Sequence, residues 1–131
     1  TAKLSEIAEL LGLCFQIRDD VFDYFEADKV GKPTGNDLRE GKITLPLLHV
    51  LLDPSAPDHD TMNALAAIEE LDEDQIATLQ RYARDNGGIE YAYATMGRLR
   101  ERAAEIAATL PDPAKADPLM QIFDYIIARD Y

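Results

Sequence analysis

Three acidic residues stand within one helical turn of one another: Asp19, Asp20 and Asp23. Two adjacent carboxylates with a third one turn on present oxygen ligands at a spacing that a hard divalent cation can use. Magnesium in such a setting takes one or two protein carboxylates and fills its remaining positions with water and substrate phosphate. The same pattern also occurs on helices whose acids are simply solvated, so the surroundings of the triplet have to decide between the two.

Residues 3 to 26 read as one long helix, with no proline and with Gly12 as its weak helix former. Placed at about 100° per residue, Ser5, Glu9, Gly12, Asp19, Asp20 and Asp23 all fall within roughly 60° of Gln16. Leu4, Ile7, Leu10, Leu11, Leu13, Cys14, Phe15, Ile17, Val21, Phe22, Tyr24 and Phe25 occupy most of the remaining circumference, with Lys3, Glu6 and Arg18 as exceptions. A surface helix carries a broader polar face than this. The pattern therefore predicts a helix buried on most sides, with its acidic stripe turned toward an internal cleft. Carboxylates in an enclosed space are costly unless a positive charge joins them.

The segment from Asp28 to Lys42 holds Gly31, Pro33, Gly35, Asn36, Asp37 and Gly41 and reads as an ordered loop. Lys29, Lys32, Arg39 and Lys42 are interleaved with those glycines. Glycines let backbone amides approach an anion, and lysines supply point charges for phosphate. Carboxylates on one side and lysines on the other suit a metal–diphosphate ligand. The alternative is a solvated loop of mixed charge.

The rest of the chain has to position these groups, and its signals are helical. Thr44 is expected to cap a helix over 45–52 with Pro46 in its first turn. A helix is expected over 60–70, another from the Asp72 cap to about Asn86 ending at Gly87-Gly88, a third over 89–110, and a last one over 119–129 beyond the prolines 111, 113 and 118. No stretch alternates with a period of two over strand length. The fold class is all-α, a helical bundle, with residues 1–131 as one domain part.

Composition narrows the function classes. With 131 residues, 47% of them hydrophobic and 29% charged, the chain is that of an ordinary globular protein. A formal net charge of −12 repels phosphate backbones and anionic lipid, which argues against nucleic-acid and membrane-surface roles. No run approaches the roughly 18 apolar residues of a membrane span. Cys14 is the single cysteine, so no internal disulfide forms, and a cytoplasmic setting is expected.

The residues then become recognisable. Phe15-Gln16-Ile17-Arg18-Asp19-Asp20-Val21-Phe22-Asp23-Tyr24 resembles the second aspartate-rich motif of trans-isoprenyl diphosphate synthases. The stretch from Val30 to Pro46, with Gly31-Lys32-Pro33-Thr34-Gly35-Asn36-Asp37 and Gly41-Lys42-Ile43-Thr44, resembles the loop that follows it in that family. Beyond about residue 53 the likeness is one of helical character and length.

The resemblance implies the all-α isoprenoid synthase fold around a deep cavity, in a homodimer or higher assembly. It implies a magnesium-dependent prenyltransferase that condenses isopentenyl diphosphate head to tail onto an allylic diphosphate, giving polyprenyl diphosphates. Carried over by position, Asp19 is a direct magnesium ligand. Asp20 and Asp23 act at the metal directly or through water, and Asp37 joins the water shell. Lys32 holds the allylic diphosphate, Gln16 and Phe15 line the site near the reacting carbons, and Lys42 stands on the phosphate side.

The chain departs from that family in having one Asp-Asp-x-x-Asp motif where the family has two, and in lacking the basic residues that receive isopentenyl diphosphate. It also opens directly into a helical pattern with no initiator methionine. The expectation is a fragment carrying the second motif, inactive alone. Two other readings compete: a fragment of a class I terpene cyclase, and a non-catalytic or regulatory subunit of a hetero-oligomeric synthase. A helical bundle that binds a metal for stability alone leaves the lysine–glycine loop unexplained.

Overall fold

The computed structural model describes residues 2–25, 31 and 33–128. Every regular element among them is helical. In chain order they are α1 (Ala2–Phe22), α2 (Asn36–Arg39), α3 (Leu45–Leu51), α4 (His59–Ala66), α5 (Glu73–Asp85) and α6 (Gly88–Ala108), then a 3-10 turn (Pro113–Ala116) and α7 (Asp117–Ile127). No helix among the described residues is long and apolar enough to cross a membrane.

The helix boundaries follow local chemistry, and several differ from expectation. α1 stops at Phe22 rather than running to residue 26. The amides of Asp23, Tyr24 and Phe25 bond to carbonyls three residues back, so the chain leaves the helix through a tightened turn. The segment read as pure loop contains α2. The helix expected over 60–70 ends at Ala66, short of Glu69 and Glu70, whose charges would oppose the negative end of its dipole. The last helix begins two residues early at Asp117, because Pro118 in the first turn gives up an amide that has no helical partner there. The Asp72 cap forms as expected. Its carboxylate accepts from the Gln75 amide and the Gln75 side chain accepts from the Asp72 amide, both at 2.8 Å.

The described residues divide into two compact units. One runs to Arg18 and resumes at Tyr93. Its core is Ile7, Leu11 and Cys14 from α1, Met96, Ala103 and Ala107 from α6, and Phe123 and Ile126 from α7. The spacing of Ile7, Leu11 and Cys14 puts all three on one face, and Arg18 continues it. The guanidinium of Arg18 lies 5.5 Å from the Tyr125 ring centroid, a cation–π contact that gives a charged group a place on this face.

Cys14 shows what burial does to chemistry. Its thiol donates to the Met96 carbonyl at 3.7 Å, and desolvation pushes its pKa up to about 11. The folded protein is expected to resist thiol reagents at pH 8 and to react once unfolded. An unfolded thiol ionises near pH 9 while the folded one stays neutral, so this group's stabilisation is complete below pH 9 and is lost as pH rises through 11. The loss amounts to about 2–3 kcal/mol. Denaturant midpoints from pH 8 to 11 should fall more steeply for the native chain than for Cys14→Ala.

The second unit spans Asp19 to Ala92. Val21, Tyr24, Leu38, Leu47, Val50, Ile76, Leu79 and Ile89 are buried in it. The Tyr24 phenol meets the Thr44 hydroxyl at 3.0 Å, so Thr44 holds the helix start through Tyr24 instead of capping α3 with its own oxygen. His49, half-buried, stacks on Tyr91 with ring centroids 3.9 Å apart.

Candidate functional site

The sequence places Asp19 and Asp20 in the last turn of α1 and Asp23 in the turn that follows. Asp19 is exposed, while Asp20 and Asp23 are half-buried. Asp23 does more than sit in a stripe. One of its carboxylate oxygens accepts from the Asn36 amide at 3.2 Å and the other from the Asp37 amide at 2.9 Å. Its backbone carbonyl accepts from the Gly35 amide at 3.0 Å. Gly35 offers no side-chain cap to α2, and Asp23 supplies one from 13 residues upstream. This explains why a helical turn forms inside a glycine-rich loop.

The same contacts bring Asp37 beside Asp23. Burial, reinforced by the charge of Asp23, holds the Asp37 carboxyl above its usual range, with Lys42 pulling the other way. Lys42 donates its amide to the Asp37 carbonyl at 2.7 Å, while its ammonium lies at the surface 3.5 Å from Glu40. Lys29 and Lys32 lie outside the described residues. Arg39, counted among the loop cations, is committed elsewhere: its guanidinium forks onto Glu73 at 2.9 and 2.6 Å and donates to the Thr34 carbonyl at 2.7 Å.

Gly35 is where the loop meets α5. It adopts φ +78°, and a Cβ there would stand 2.8 Å from Ile76 Cγ2 and 3.2 Å from Gln80 Nε2. Gly35→Ala is expected to destabilise the chain by about 2 kcal/mol through left-handed strain and crowding together. Thermal melting would check it.

Phe15 and Gln16 are exposed on α1. Leu13 and Phe15, expected to be buried, are 52% and 47% exposed. Among the described residues of α1, the buried apolar side chains Ile7, Leu11, Cys14 and Val21 share one face. By helical phase, Leu13 and Phe15 flank the acidic stripe on either side, about 60° and 100° from Gln16. The expectation of a helix buried on most sides is thus not met in this chain.

Among the described residues no three histidine, cysteine, aspartate or glutamate side chains converge as a metal cage. The donors available are carboxylate oxygens, and the neighbouring backbone amides are already turned onto Asp23. An all-oxygen set that offers one or two carboxylates fits magnesium or calcium and gives no foothold to softer metals.

Sequence comparison decides the family. The profile of the Polyprenyl synthetase family matches residues 1–83, which include both motifs. The chain belongs to the polyprenyl synthetase family. A polyprenyl synthetase relative, the nonaprenyl diphosphate synthase of Mycobacterium tuberculosis, is 32% identical over 97% of this chain and 38% of its own length. The geranylgeranyl pyrophosphate synthase of Bacteroides thetaiotaomicron superposes with a TM-score of 0.78 at 37% identity, over 95% of this chain and 40% of that one. The geranylgeranyl pyrophosphate synthase of Corynebacterium glutamicum, crystallised with calcium and isoprenyl diphosphate, gives 0.82 at 26% identity, over 95% and 38%. The chain therefore spans about two-fifths of the relatives that it matches, and it shares their all-α fold.

The residues missed by sequence reasoning are Thr34, Glu73 and Gln80. The Gln80 side-chain amide donates to the Asp23 carbonyl at 2.7 Å and to the Thr34 hydroxyl at 3.3 Å. It lies 57 residues from Asp23, and no local pattern links the two.

Proposed function

We propose that this chain supplies the second aspartate-rich portion of a magnesium-dependent trans-prenyltransferase, which condenses isopentenyl diphosphate with an allylic diphosphate. The observation that supports this most is the Asp23 junction, which brings the loop carrying Asp37 onto the end of the Asp19–Asp20 helix. In this reading Asp19 would hold magnesium directly, Asp20 and Asp23 would act on it directly or through water, and Asp37 would join the water shell. When bound, magnesium neutralises charge on the departing diphosphate. Lys32 and Lys42 add positive charge on the phosphate side. Gln16 and Phe15 line the path of the reacting carbons, Phe15 offering an apolar surface beside an acidic stripe. A cytoplasmic homodimer or higher assembly is the setting that goes with this reading.

The matched share of the relatives supports a further point: the chain alone is inactive in elongation. The test has two parts. Calorimetry should show dimethylallyl diphosphate binding to the chain in magnesium and not in chelator. Radiolabelled isopentenyl diphosphate should enter longer products only after the chain is joined to the portion of the Bacteroides enzyme that it does not match. Elongation by the chain alone would refute the inactivity, and no magnesium-dependent binding in either form would sink the reading itself.

A further inference from the structure

We infer that α5 carries a latch, Gln80 with the Arg39–Glu73 pair, that positions the Asp23–Asp37 carboxylates. The inference rests on the metal–diphosphate reading of those aspartates only for its functional consequence. The latch itself is a matter of geometry.

Gln80 is 9% exposed and presents its amide to two acceptors that belong to different segments. One is the carbonyl of Asp23, just past α1, and the other is the hydroxyl of Thr34, at the end of the loop. The Thr34 hydroxyl in turn donates to the Phe25 carbonyl at 2.6 Å. One buried side chain thus ties the exit of α1 to the return of the loop, with Thr34 closing the circuit. The approach is possible because residue 35 is glycine: its Cβ would crowd Gln80 Nε2 at 3.2 Å.

The second arm is at the surface. Arg39 closes α2 and grips Glu73, the first residue of α5, in a two-pronged bond, while its other amino group donates to the Thr34 carbonyl and to Asn36 Oδ1 at 3.0 Å. A forked guanidinium–carboxylate pair fixes orientation as well as distance. Between these arms lie Gly35, Asn36 and Asp37, whose amides bond to Asp23. Asp23 and Asp37 are like charges brought close together, so without the latch their repulsion would favour opening of the loop. Gln80 and Arg39 are positioning residues in this scheme: they act on the site through the loop backbone.

Gln80→Met keeps the volume and removes both donors, and the Asp23 carbonyl still has the Gly35 amide. Glu73→Ala cuts the exposed arm without touching the core. Amide hydrogen exchange, followed by NMR on the whole chain, reads the latch directly. The amides of Asn36 and Asp37 should exchange about tenfold faster in Gln80→Met and by a smaller factor in Glu73→Ala, while Leu79 and Val50 keep their protection. Magnesium affinity in the presence of pyrophosphate should weaken about tenfold in Gln80→Met. Unchanged exchange at Asn36 and Asp37 in both variants overturns the latch, whatever the binding result. Faster exchange with no magnesium–pyrophosphate binding even in the native chain leaves the latch standing and removes the functional reading.

Discussion

Replacing Asp19 by alanine is expected to lower prenyl transfer by about a thousandfold while leaving the melting temperature within about a degree of the native value. The rate is to be measured in the chain joined to the unmatched portion of the Bacteroides enzyme. Asp19 is exposed in the last turn of α1, so little of the fold depends on it. Its loss would remove negative charge where the transition state needs a bound cation. Asp23 makes the contrast. Asp23→Ala leaves the amides of Asn36 and Asp37 without their acceptor, and it is expected to lower stability by about 1–2 kcal/mol as well as the rate. A melting temperature that falls as far for Asp19→Ala as for Asp23→Ala would show that Asp19 is structural. A rate that survives Asp19→Ala would remove it from the chemistry.

Gly88→Ala is the substitution expected to damage the fold most. A Cβ at Gly88 would collide with the Pro46 carbonyl oxygen and lie 2.8 Å from that of Ala83. Both obstacles are backbone, one at the start of α3 and one near the end of α5, so no side-chain rotation relieves the clash. The start of α6 would have to move away from α3, at a cost of about 3 kcal/mol, which corresponds to a fall of roughly 10 °C in melting temperature. Gly97 provides the control, since a Cβ there meets nothing within 4 Å. Gly97→Ala is expected to raise stability by up to about 1 kcal/mol, because alanine loses less backbone entropy in a helix. Equal melting temperatures for the two variants would show that the Gly88 contact gives way more easily than close-packed backbone should.

Helical class, the Asp72 cap and the Asp19–Asp20–Asp23 spacing were all legible along the chain, because each depends on residues no more than a turn or so apart. Family membership was legible for a related reason: the two motifs are contiguous runs that can be read directly along the chain. The tertiary structure alone decided what those residues do to one another. That Asp23 turns its carboxylate onto two amides, that Gln80 reaches Asp23 across 57 residues, and that Arg39 answers Glu73 rather than a loop anion follow from how the loop folds back onto α5. Such contacts leave no periodic trace. The exposure of Leu13 and Phe15 belongs here too. An apolar residue states a preference for burial, and only a packed neighbour can satisfy it. The spacing of the aspartates was therefore a property of the sequence, and their arrangement into a junction was a property of the fold.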